Sequence, residues 1–205
     1  MYQIQQTLLN STHLDFYTDG SVFDLSKESV NMGFSFIQTN NNSPYVEFQA
    51  SIENWPSSSR TELAAIVAAL LVSPKFSFIN IFTDSDTIIN QFNNTKNNIL
   101  FTFSRHIFKE TNNILWALLR SLIDTNNLQV SFHKVRAHSD DPFNNKVDRL
   151  AKTAIFDTVF SLNYTATNNI DYFPKWKNLY IETHLRHFLM TISHTRDFEN
   201  WIQLN

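Results

Sequence analysis

The stretch "HLDFYTDGSV", residues 13–22, enters as an apolar strand and ends on an aspartate followed by one of the chain's two glycines. Leu14, Phe16 and Tyr17 make it a segment fit for burial. A carboxylate near the centre of a buried strand carries a large desolvation cost unless it is paired or holds a metal. No lysine or arginine lies near Asp19 in the sequence. Its compensation must come from elsewhere in the fold.

Working outward, the periodicity predicts strands at 12–19, 30–39 ("VNMGFSFIQT") and 45–52 ("YVEFQASI"), the last two joined by a turn-rich "NNNSP". These three form an antiparallel meander. "SRTELAAIVAALLV" predicts a core helix, with Ser59 as N-cap and Glu62 at the capping-box spacing. "FSFINIFTD" (76–84) is nearly continuous in apolar residues, the pattern of a central strand buried on both faces. A short helix follows in "SDTIINQF", then a loop in "NNTKNN", then a longer helix over 104–124 with Ile107, Ile114, Leu115, Leu118 and Leu119 on its apolar side. "LQVSFHKV" (128–135) alternates as a fifth strand. A final helix opens with Asp141 as N-cap and Pro142 at its first position and is expected to run to about Phe160.

This order predicts an α/β fold: a five-stranded mixed sheet flanked by helices. Residues 1–11 are an N-terminal arm and 12–160 the main domain. Residues 161–205 read as a linker and a helical extension, in which Ile181, Leu185, Phe188, Leu189 and Ile192 recur at helical spacing.

Composition excludes several classes. With 205 residues and no cysteine, disulfide scaffolds, thiolate metal sites and cysteine nucleophiles are ruled out, so any metal must sit on oxygen or imidazole. A net charge of -3 and a pI near 6.1 argue against bulk attraction to nucleic acid, which leaves only a local site. The N-terminus lacks the pattern of a secretory signal, and the longest apolar run, "LAAIVAALLV", is too short to span a bilayer. An intracellular protein without membrane contact is expected.

Three further acids fall at the ends of predicted elements: Glu62 in the first turn of the core helix, Asp84 at the end of a strand, Asp148 in the first turns of the last helix. Each has a plain alternative, as capping-box partner, helix cap and solvated surface charge respectively. Together with Asp19 they suggest a cluster whose repulsion is relieved by hard divalent cations, which favour carboxylate and water oxygens. Mg2+ fits, with Mn2+ as the alternative. Two such ions about 4 Å apart can activate a water and stabilise a leaving oxygen in phosphodiester cleavage.

"YTDGS", "SSSRTELAAI", "FTDSD" and "HKVRAHSDDPFNNKVDRLAK" follow one another in an order that resembles the motifs of type 1 ribonucleases H, including those of retroelements. The resemblance covers residues 12 to about 158 and implies a ribonuclease H-like fold and hydrolysis of the RNA strand of RNA–DNA hybrids. It implies that Asp19, Glu62, Asp84 and Asp148 hold two Mg2+ ions. By the same resemblance His138 stands on a loop before the last helix and assists proton transfer or product departure, while His133, on the strand, does not. Asn144 matches an asparagine one turn before Asp148, and Ser57, Ser58, Ser59 and Arg60 match a segment that faces the minor groove of the hybrid, joined by Gly20 and Ser21 beside Asp19. Hydroxyls at Ser57–Ser59 suit 2′-OH and phosphate contacts, or serve only to turn the chain. Ala137 and Asp140 replace glycines usual in the loop, which predicts a stiffer one.

Lys134, Arg136, Lys146, Arg149 and Lys152 gather around the loop and last helix and suit phosphates. Rival readings are an integrase or proofreading exonuclease of the same fold, whose acids are arranged differently, and a degenerate domain that binds nucleic acid or acts as a scaffold in a retroelement polyprotein. No protein partner is indicated, and a monomer is expected.

Overall fold

The computed structural model describes residues 1–24, 30–96, 108–136, 140–161 and 173–203. Its strands are β1 (His13–Phe23), β2 (Asn31–Gln38), β3 (Val46–Ser51), β4 (Phe78–Thr83) and β5 (Gln129–Lys134). They form one sheet in the order β3-β2-β1-β4-β5. β1, β2 and β3 are antiparallel neighbours, whereas β1–β4 and β4–β5 are parallel, so the sheet is mixed as expected. The expectation for 76–84 needs correction. β1 holds the centre, and β4 is buried on one face only: Ile79 and Ile81 are sealed, while Phe78 is 45% exposed. Its run of apolar residues arises because Phe82 stacks between Tyr17 and His133 on the half-covered face.

The helices are α1 (Tyr2–Leu8), α2 (Ser58–Val72), α3 (Asp86–Lys96), α4 (Asn113–Asn126) and α5 (Pro142–Thr153), and α6 (Leu185–Gln203) ends the described chain. Apolar around its whole circumference, α2 is the core helix, packed between the sheet and α4, with Leu63 through Leu70 fully buried. The N-terminal arm contains the short α1, which buries Leu8 and bonds the Leu71 carbonyl through the Gln5 amide. α3 continues through Lys96, beyond the expected start of a loop, and α4 begins at Asn113. Ile107 lies outside the described residues.

Both glycines mark places where a helix presses on the sheet. A Cβ at Gly20 would overlap the Glu62 amide and Thr61, and one at Gly33 would overlap the Ala151 carbonyl. Gly20 and Gly33 belong to opposite faces, since Gly33 pairs with Ser21. α2 therefore lies on one face and α5 on the other. The last helix stops at Thr153, short of Phe160; a 3-10 turn (Ala154–Phe156) reverses the chain so that Ser51 bonds Thr158 and Phe160 beside β3. Phe160 gains contact with Phe34 and Phe48, packing that a continued helix would forgo. In the C-terminal segment a small hairpin, β6 (Lys175–Trp176) and β7 (Leu179–Tyr180), precedes α6 within what reads from sequence as linker. Among the described residues no helix is long and apolar enough to cross a membrane.

Candidate metal centre

Strand register brings the first two acids together. Tyr17 pairs with Phe82 in the parallel β1–β4 ladder, so two residues further along each chain Asp19 and Asp84 stand side by side. The close seat of α2 on Gly20 supplies the third, Glu62. Carboxylate oxygens of Asp19, Glu62 and Asp84 all lie within 4.8 Å of one another. Asp19 and Glu62 are buried, and one Glu62 oxygen, Oε2, is buried without a hydrogen-bond partner.

The electrostatics are those of like charges kept out of water. Burial, and then the charges of Asp84 and Asp148, push the Asp19 carboxyl up to about 7. Glu62 is also raised well above the usual carboxylate range, by burial first and then by Asp19 and Asp84. Burial and mutual repulsion thus favour the protonated form of both acids, while the Gly20 N–H donates to Asp19 Oδ1 at 2.9 Å. An orphaned buried oxygen inside a set of hard oxygen donors fits a divalent cation such as Mg2+.

Asp148 reaches the neighbourhood by a separate route. The Ser35 hydroxyl, opposite Asp19 on β2, donates to the Val147 carbonyl at 2.7 Å and fixes α5 against the sheet. The Tyr17 hydroxyl bonds Asp141, which caps the same helix as expected. Asp148 follows Val147 and its charge acts on Asp19, but it stays outside the tight trio, bonded to Lys152 Nζ at 2.6 Å. Three acids are thus gathered closely and the fourth stands at the rim. Asn144 is buried one turn before Asp148. His138 and Ala137 lie outside the described residues. His133 stacks on Phe82 and bonds Asn80.

The serine segment divides. Ser57, not Ser59, caps α2, accepting the Arg60 N–H at 3.2 Å; Glu62 is then five positions past the cap and has no capping-box role. Ser58 is exposed and Ser59 half-buried, as are Gly20 and Ser21. Arg60 corrects the expectation of a substrate contact. It is 1% exposed, and its guanidinium makes two bonds, 2.7 and 3.0 Å, to the Glu182 carboxylate, so it is turned into the protein and away from the surface where a hybrid would lie. Glu182 carries no local signal, because its partner is 122 residues away in sequence. The cationic patch is also largely engaged: Lys134 pairs with Asp86, Lys146 with Glu47 and Lys152 with Asp148.

The chain is similar to known ribonucleases H. The RNase H family model matches residues 11–156. The ribonuclease H of Chlorobium phaeobacteroides is 35% identical over 104 residues, 47% of this chain and 67% of that one. The Clostridium botulinum ribonuclease H is 36% identical over 99 residues, 46% and 64% of the two chains. Among solved structures, RNase H1 of the archaeon Halobacterium salinarum superposes with a TM-score of 0.50 at 17% identity, covering 70% of this chain and 97% of that one. The foamy viral protease-reverse transcriptase gives 0.55 at 16% identity, covering 73% and 97%. Both are similar in fold, with the same mixed sheet and flanking helices, and the family match spans every element that carries the acids: the chain belongs to the RNase H family.

Proposed function

We propose that this protein hydrolyses the RNA strand of RNA–DNA hybrids with two Mg2+ ions, held by Asp19, Glu62, Asp84 and Asp148. The single observation that carries the reading is the close trio of carboxylates, two of them buried, with an unpartnered Glu62 oxygen. When bound, the ions supply an activated water and charge stabilisation at the leaving oxygen. The protein's own part is placement. Asp19, Glu62 and Asp84 would supply ligand oxygens from the close trio. Asp148 would supply a further one from the rim, on release from Lys152. His138 is assigned proton exchange with the product, since imidazole titrates near neutral pH. Ser57, Ser58 and Ser59, at the exposed mouth of α2, are assigned contacts to 2′-OH and phosphate, with Gly20 and Ser21 beside them and Asn144 supporting Asp148.

Incubating the protein with labelled hybrid, RNA duplex and DNA duplex in Mg2+, in Mn2+ and in EDTA tests the reading. Hybrid-selective cutting that needs the dication and vanishes in Asp19→Asn is expected. Hybrid bound but uncut in both metals would instead establish the degenerate binding module, and cutting of DNA alone would move the chain to another nuclease class.

A further inference from the structure

The family match ends at residue 156, yet the segment after it reaches back to the helix that carries Glu62. Residues 180–182 are held at several points. The Trp55 indole N–H, in the loop before α2, donates to the Tyr180 carbonyl at 2.7 Å. Arg60 grips the Glu182 carboxylate with both terminal nitrogens, in a pair whose side chains are 1% and 2% exposed. The Asn112 N–H, at the start of α4, donates to the Glu182 carbonyl at 2.7 Å. Further along, Phe188 of α6 packs on Trp55.

Arg60 and Glu62 are two residues apart, about 200° around a helix, and so leave α2 on nearly opposite sides of one turn. On the Glu62 side that turn rests on Gly20 with no room for a Cβ. On the other side it is pulled by Glu182. The first turn of α2 is therefore clamped between β1 and the C-terminal segment. A planar fork bonded at both nitrogens to a carboxylate fixes angle as well as distance. We infer that residues 180–182 are a strap that sets the position of Glu62, with Glu182 a positioning residue acting through Arg60. The C-terminal segment is then a working part of the metal centre. This rests on the ribonuclease reading for its effect on cleavage, but not for its effect on metal binding.

The test uses the full chain with Glu182→Gln, which keeps the shape and removes the charge. Mn2+ alone is titrated calorimetrically into wild type and variant without nucleic acid, and hybrid cleavage is measured at a temperature where circular dichroism finds both folded. Loss of a group that orients a metal ligand typically costs about 10–100-fold in metal affinity or activity. We expect roughly tenfold weaker Mn2+ binding and a tenfold lower kcat, with KM for the hybrid within about twofold, the size expected of a supporting residue. A merely structural pair would lower Tm and leave Mn2+ affinity and kcat unchanged in the folded variant; that result overturns the inference. Should Glu182→Gln leave too little folded protein, the shorter Glu182→Asp is read in the same way. If wild type cuts no hybrid, the ribonuclease reading fails, and the Mn2+ comparison still decides the strap.

Discussion

On one side of the first turn of α2, Glu62 meets Asp19 and Asp84; on the other, Arg60 meets Glu182. Both groups are buried charge. The second is compensated within the chain, each guanidinium terminal nitrogen facing a carboxylate oxygen. The first is not, and burial with mutual repulsion pushes the Asp19 and Glu62 carboxyls up. A fold selected for stability alone has no use for the first arrangement, since uncompensated buried charge is costly. The difference identifies which charges hold the molecule together and which await something from outside it.

Removing charge from the two sides should therefore have opposite effects on stability. The largest effect is on activity. Asp19→Asn removes the central acid, and hybrid cleavage should fall by at least about a thousandfold, the scale expected when a principal electrostatic contributor is lost. In EDTA the same variant should melt higher than wild type, by roughly 2–4 °C for each kcal/mol of repulsion relieved. A lower Tm would break the contrast. Across the turn, Arg60→Ala leaves the Glu182 charge buried alone and should cost about 3–5 kcal/mol. Differential scanning calorimetry would then find a fall of roughly 6–20 °C at that same slope.

The acid side should also titrate. Asp19 has a folded pKa of about 7 against an ordinary value of 3.8, so the folded state holds more protons between those values. Stability is then highest below about pH 4 and is lost as pH rises toward 7, at up to about 1.4 kcal/mol per pH unit for one group. Other carboxylates titrate in the same range, and the informative quantity is the difference between wild type and Asp19→Asn. In EDTA that difference in Tm should grow from pH 4 to 7 and then level. Mg2+ would relieve the repulsion left once the proton is lost, and should shrink the difference at pH 8. A difference independent of pH would mean that Asp19 does not keep its proton above the ordinary carboxylate range.

How legible each side was follows from how local its causes are. The acids could be found because each lies in a short motif of its own: Asp19 within β1, Glu62 early in α2, Asp84 just past β4 and Asp148 midway along α5. Asp148 was read correctly as belonging to the last helix, but its pairing with Lys152 is a choice of rotamer that spacing does not dictate. The Arg60–Glu182 pair was invisible. Nothing near Arg60 distinguishes a buried cation from a surface one, and its partner lies far along the chain in the C-terminal extension. The overlong helix expected over 142–160 had a similar cause: Ile155, Phe156, Val159 and Phe160 suit either a helix or a return along β3, and contact of Phe160 with Phe34 and Phe48 decides.

The smallest expected effect bears on the turn that both groups share. Ser57 caps α2 by accepting the Arg60 N–H, and the proposed function gives the same hydroxyl a contact with substrate. Ser57→Ala removes both and should cost about 1 kcal/mol of stability, the usual worth of an N-cap, or 2–4 °C in Tm. Ser57→Asp separates the roles. Aspartate caps as well as serine and favours the positive end of a helix, so Tm should return to the wild-type value or above it. A carboxylate there repels phosphate, so KM for hybrid should stay raised. Recovery of KM together with Tm would assign Ser57 to the helix alone and leave Ser58, the exposed neighbour, as the hydroxyl to test for reaching the RNA.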